Sequence, residues 1–162
     1  MTATAILAFS LSSCKSEKSK DAEIMDKVYS GKYDEARKLT FDRFKGDRDK
    51  QIQWFMLIGQ TESTIEGNTY KKNMVIQKGW RWEEEERYNY IRGRVKNTGT
   101  KTVTYFKLKV EYQNARKEVV DTDYTNSGET LGPGMAKEFE IMHHNSEDYK
   151  SVAIGIEEVK VK

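Results

Sequence analysis

The sequence predicts an α+β chain: a short N-terminal helical unit of two or three helices, followed by an antiparallel β-sandwich. Three observations predict it. Apolar residues recur at helical spacing up to about residue 62, and strict alternation takes over from residue 73. The one proline is Pro133, so no proline breaks the first part. Turn-forming clusters of Asn, Gly and Ser then recur between the alternating segments, as they do between the strands of a sandwich. A length of 162 residues, with 36% hydrophobic and 33% charged residues, suits one medium domain or a small domain with a helical extension. Either is large enough to bury a core.

The helical unit is expected over 21–62. Asp21 is the candidate N-cap of a first helix with Ile24, Met25 and Val28 on one face, and Ser30-Gly31 ends it. A second helix is expected from Lys32 to Lys45, with Tyr33, Ala36, Leu39 or Thr40, and Phe44 near the required spacing. Gly46-Asp47 reads as a stop and a new cap. A third helix follows from Arg48 with Ile52 and the run Trp54–Ile58. So broad an apolar stripe predicts packing on two neighbours and burial of the run. The stretch Gly31-Lys32-Tyr33-Asp34-Glu35-Ala36 resembles the loop and second-helix start of a tetratricopeptide repeat. It occurs once, so the resemblance implies a single helical hairpin and not a stack with a peptide groove. Residues 63–72 are expected to form a linker turning at Gly67-Asn68.

The segment before the first helix points to a location. Residues 1–13 carry no charge and read as the apolar core of a signal peptide, too short to span a bilayer. Cys14 follows, and with no second cysteine it has no internal disulfide partner. Leu11-Ser12-Ser13-Cys14 resembles the lipobox of bacterial lipoproteins, although no Lys or Arg precedes the apolar run. The resemblance implies cleavage before Cys14, acylation of its thiol, and an extracytoplasmic protein anchored to a membrane of the cell envelope. Two or more acyl chains hold such a protein stably. Residues 14–20 would then be a lipidated Cys and a tether, its lysines Lys15, Lys18 and Lys20 beside the headgroups. Residues 15–20 reach only ~20 Å when extended.

The sandwich is expected over 73–162. Phe106, Leu108, Val110 and Tyr112 alternate with Lys107, Lys109, Glu111 and Gln113, the pattern of a strand with one buried and one wet face. Met74, Ile76, Trp80 and Trp82 share one parity, and Ile91, Gly93 and Val95 share another. Further strands hold Val119-Val120, Phe139 with Ile141, and Val152, Ile154 and Ile156. Val159 and Val161 switch parity, which predicts a bulge at Glu157-Glu158. Six or seven short strands with frequent turns read as an immunoglobulin-like sandwich. From Gly93-Arg94-Val95-Lys96-Asn97 onward the chain resembles an FxLYD-type domain, an immunoglobulin-like module of bacterial envelope proteins. The matching parts are Gly93–Asn97, a turn at 98–101, the strand 102–112, Val119-Val120, Leu131-Gly132-Pro133-Gly134 and Phe139. The slots that name the family hold Val110, Glu111, Tyr112, Gln113 and Asn114, and the glycine of the next turn is replaced near Lys117. In the physical reading, Asn97 closes a turn through its side chain and Gly134 takes positive φ. The family implies a binding or spacer module without catalytic residues.

Candidate chemistry is sparse. With 28 basic and 26 acidic residues the net charge is +2, which argues against a nucleic-acid binder. Trp80-Arg81-Trp82 with Arg87 is the candidate binding cluster, its aromatics and cations suited to a glycan or polyanion; the competing role for both tryptophans is core packing. The acidic run Glu83–Glu86 is the candidate site of a glycan hydrolase, with Glu83 and Glu85 as a pair ~6.5 Å apart on one strand face, and a solvated strand end is the simpler account. His143 and His144, adjacent on a strand, point to opposite faces and do not suit one metal ion. No metal, cofactor or catalytic residue is expected. The reading is a membrane-anchored, non-enzymatic module with a protein partner in the envelope.

Overall fold

The computed structural model describes residues 17–162, so Cys14 and the expected signal segment lie outside the described residues. The chain divides between Gly59 and Gln60 into two units.

The first unit is built from α1 (Glu17–Tyr29), α2 (Tyr33–Arg43) and the start of α3 (Arg48–Tyr70). The first helix begins four residues before the expected 21, so Asp21 lies inside it and is no N-cap. Its carboxylate pairs with Arg43 at 2.8 Å instead. Residues 17–20, expected as tether, are therefore helical. The end of α1 is where the sequence places it. Gly31 adopts φ 73°, the Gly31 amide donates to Val28 O, and the Lys32 amide donates to Lys27 O, the double bond of a Schellman cap. Asp47 caps α3 by accepting from the Lys50 amide at 3.1 Å. Ile24, Val28, Ala36 and Ile58 form the core, with Met25, Tyr33, Leu39, Phe44 and Trp54 packed around it.

The expected burial of Trp54–Ile58 does not hold. Ile58 is buried and Trp54 is half-buried, stacked on Phe44, but Phe55, Met56 and Leu57 are exposed. Residues 54 and 58 lie one turn apart on one face, and only that face meets the α1–α2 core. The expected linker over 63–72 is also corrected. It continues α3 to Tyr70 and passes through a 3₁₀ turn, Lys71–Asn73. Gly67 makes no turn: a Cβ there would meet Val159 O of the β-unit at 1.8 Å, so the missing side chain admits close packing of helix on strand.

The second unit carries seven strands: β1 (Met74–Ile76), β2 (Arg81–Glu85), β3 (Tyr88–Asn97), β4 (Val103–Gln113), β5 (Val119–Ser127), β6 (Ala136–His144) and β7 (Ser151–Val161). They form two antiparallel sheets. In one, β6 pairs with β3, and β1 and β2 share the other edge of β3. In the other the order is β5-β4-β7. Ile91, Val95, Phe139 and Ile141 of the first sheet share one core with Phe106, Leu108, Val110, Tyr112 and Val159 of the second. The predicted alternation from Phe106 to Tyr112 in β4 is realised, Phe106, Leu108, Val110 and Tyr112 all being buried. Leu108 pairs with Ile156 and Lys107 with Glu158, so Glu157 is the extra residue of the predicted bulge.

Two residues of the 93–97 motif have physical duties. At Gly93 a Cβ would lie 2.7 Å from both the Phe139 ring and the Trp80 Cβ, so no other residue fits unmoved. Asn97 is fully buried and fully bonded. Its Oδ1 accepts from the Gly99 amide, closing the predicted turn, and from the Tyr70 hydroxyl at 2.9 Å. Its Nδ2 donates to Lys101 O and Leu131 O. Gly134 takes φ 75° as expected. Lys117 takes φ 66° in the turn where the resemblance led us to expect glycine, and Asn114 Oδ1 holds that turn by accepting from the Arg116 and Glu118 amides.

Candidate functional site

The alternation of β2, β3 and β6 separates the residues of the sequence-derived cluster. Arg92 pairs with Arg81 on one side and Glu140 on the other, and Tyr90 pairs with Glu83 and Met142. These residues, with Arg94 and Glu138, share the outer face of the sheet. Trp80 and Trp82 instead pack against the core, both half-buried. The Trp82 indole donates to Asn89 Oδ1 at 2.8 Å, and Asn89 Nδ2 donates to Asn145 Oδ1 at 2.9 Å. Asn89 has no exposed surface, so this chain of bonds is what makes its burial tolerable. Arg81 is thus on the outer face and its two tryptophan neighbours are beneath it. Arg87 is exposed in the turn between β2 and β3, where Glu86 adopts φ 52°.

The centre of the outer face is an ion cluster that the sequence did not disclose. The Arg92 guanidinium donates to Glu83 at 2.7 Å, Glu85 at 2.9 Å and Glu140 at 2.6 Å, and lies 4.4 Å from the Tyr90 ring centre. These bonds, the one to Glu140 foremost, push the guanidinium further toward its charged form. Glu83 and Glu85, the candidate acid pair, are both tied to this cation. That is the geometry of a surface ion network, with neither carboxylate aimed across an open site. Beside it a depression is lined by Arg81, Gly93, Arg94, Glu138 and Glu140.

A second cluster closes one end of the sandwich. His143 and His144 do point to opposite faces: His144 lies against Tyr88, with ring centres 4.7 Å apart, and His143 faces β5. His143 Nδ1 is 3.0 Å from Asp123, and Nε2 is 3.1 Å from Asp121 and 3.2 Å from the Tyr149 hydroxyl. Carboxylates only accept, so both ring nitrogens bond to them only when both carry protons. The Tyr149 hydroxyl donates to Asp121 at 2.8 Å. That bond, the Thr122 amide and His143 hold the Asp121 carboxyl below its ordinary range. Burial, then the Asp121 bond, pushes the Tyr149 hydroxyl up to about 12. The Tyr112 ring stacks on both His143 and Tyr149, and its buried hydroxyl, pushed up chiefly by burial, has no hydrogen-bond partner among the described residues. The period of two in Asp121-Thr122-Asp123 was the available signal that two carboxylates share a face. That His143 would meet them depends on how the two sheets stack. Among the described residues no group of three or more His, Cys, Asp and Glu is arranged to hold a metal ion.

No family model and no curated protein matches the chain. It is similar to a DUF1425 family member from Shewanella sp. pv-4, with 8% identity over 52% of this chain and 74% of that one, TM-score 0.39. It is similar to the Salmonella enterica trimeric lipoprotein SadB, with 11% identity over 87% and 90% of the two chains, TM-score 0.38. A third likeness is to the Pseudomonas fluorescens alkylpurine DNA glycosylase AlkC, with 9% identity over 80% of this chain and 45% of that one, TM-score 0.34. Scores this low at such identities carry neither fold nor function over to this chain.

Proposed function

We propose that the chain is a lipoprotein of the cell envelope: acylated at Cys14, extracytoplasmic, and non-enzymatic, with an immunoglobulin-like, FxLYD-like sandwich as its interaction module. The observation that carries this is Leu11-Ser12-Ser13-Cys14, whose cysteine directly follows thirteen uncharged residues. Two features support it. Among the described residues no helix is long and apolar enough to cross a membrane, and in this proposal the attachment is the lipid on Cys14. The glycine and asparagine of the 93–97 motif have the packing and turn duties that such a module needs.

The interaction surface in this proposal is the outer face of β2-β3-β6. Arg81 and Arg94 are its exposed cations, Arg87 stands at its turn, and Trp80 and Trp82 are its support. The same face carries Glu83, Glu85, Glu138 and Glu140. That mixture suits a protein of patterned charge and opposes a polyanion. Metabolic labelling with an alkynyl fatty acid tests the anchor. The wild type labels and Cys14→Ser does not; labelling that survives the substitution overturns the proposal. Capture of an envelope protein by the mature chain, lost on reversing Arg81 and Arg94 to Glu, tests the surface.

A further inference from the structure

We infer that the helical unit docks on the bilayer surface through an apolar strip on α2 and α3, so that the lipid anchor is one of two membrane contacts. This rests on the acylation proposed above.

The strip is Phe41 of α2 with Ile52, Phe55 and Met56 of α3, exposed by 53%, 45%, 37% and 56%. Spacings of three and four put the α3 residues on one helix face, away from Trp54 and Ile58, which meet the core. Gln51 donates to Phe41 O at 3.3 Å, which places Phe41 beside the first turns of α3. Four large apolar side chains left open on so small a unit, while Ile24 and Ile58 nearby are fully covered, mark a surface with an occupant.

The position of the chain's start says which occupant. Asp21, one turn into α1, is bonded to Arg43 at the end of α2, and Phe44 lies under Lys50 of α3 at 5.8 Å. The start of α1, the end of α2 and the start of α3 are therefore gathered at one end of the unit. Cys14 is three residues before Glu17, a reach of at most ~11 Å. Ile52 is one turn from the start of α3 and Met56 two turns, so the strip begins ~6 Å from that end at 1.5 Å per residue. An acyl chain at Cys14 brings the headgroups to the strip. Lys20, Lys45, Arg48 and Lys50 are exposed around this end, against Asp42, Asp47 and Asp49. The balance is near neutral, so apolar burial is the leading attraction and charge is secondary.

The test uses the acylated full chain, in which the Cys14 thiol is consumed, carrying one engineered cysteine labelled with an environment-sensitive fluorophore. The positions are Ile52→Cys, Met56→Cys and, as control, Asp34→Cys at the far end of the α1–α2 hairpin. The chain is reconstituted in phosphatidylethanolamine–phosphatidylglycerol vesicles with brominated acyl chains. Labels at 52 and 56 are expected to lose emission roughly twofold or more, as side chains ~5–10 Å into the interface would, and the label at 34 to keep it. An acylated, vesicle-bound chain with equal emission at all three positions overturns the docking and leaves the anchor standing. Doubled particle mass with labels at 52 and 56 shielded from bromine overturns it in favour of a second copy. A chain that is never acylated overturns both proposals.

Discussion

The two units handle apolar surface differently. Among the described residues the helical unit has four buried apolar residues, and several others of the same size lie open on α2 and α3. The β-unit has thirteen, eleven of them drawn from both sheets with Tyr70 and Leu131 beside them, and buries two asparagines whose side chains are bonded. A strand alternates, so two stacked sheets cover every second residue. A helix in a three-helix unit covers only the face that meets its neighbours. The lesson is that a similar density of apolar letters closes a core in one unit and leaves a strip in the other.

The largest way to break this comparison is a core truncation in each unit. Leu108→Ala is expected to cost about 3–4 kcal/mol in denaturant unfolding followed by β-sheet circular dichroism. Ile58→Ala is expected to release the α-helical signal first, with the β signal retained to higher denaturant. Coincident loss of both signals would mean that the smaller core is not the weaker one. Buried polar groups are the next test. Asn97→Ala removes the partner of the Gly99 amide and one bond each from the Tyr70 hydroxyl, Lys101 O and Leu131 O, which keep their bonds to each other and to the Val103 amide, and is expected to cost about 2–3 kcal/mol. Thr40, the buried polar residue of the helical unit among the described residues, donates through Oγ1 to Ala36 O on its own helix. Thr40→Val is expected to change stability by less than about 1 kcal/mol, because that carbonyl keeps its helical role.

A stabilising change should be smaller. Glu86 is exposed at φ 52°. Glu86→Gly relieves that conformation and is expected to raise the β-unit's stability by about 1 kcal/mol, read as a shift in the unfolding midpoint. The smallest expected effect is the pH dependence of the His143 cluster. Asp121 is held below its ordinary 3.8, so its contribution is whole above that pH and drains as pH falls below it. Tyr149 is pushed up to about 12 from 10, so its contribution is whole below pH 10 and is lost between 10 and 12. Thermal melts across pH should show both shoulders. Asp121→Asn should remove the acid one, and an unchanged acid limb would dismiss the cluster as a stabilising clasp.

Legibility differed residue by residue. Phe106 to Tyr112 could be read because side-chain parity is local and strict. The Glu157 bulge could be read because parity breaks there. The Gly31 and Asp47 caps followed from which residues tolerate or satisfy a helix end. Gly67 was misread because a glycine marks either a turn or a close approach, and only the presence of Val159 decides between them. Arg92 gave no sign of being the hub of three glutamates, since Glu140 is 48 residues away and arrives through the β3–β6 register.

What the sequence by itself determined was the change from helical to alternating period, most strand faces, the main caps and turns, and the lone cysteine after an uncharged run. All of these depend on forces acting within a few residues. Tertiary structure alone decided that Trp80 and Trp82 face inward beneath Arg81, that His143 sits between two carboxylates, and that Ile52, Phe55 and Met56 of α3 are left exposed. Those outcomes depend on which surfaces are stacked together, and stacking is a property of the whole fold that no local pattern encodes.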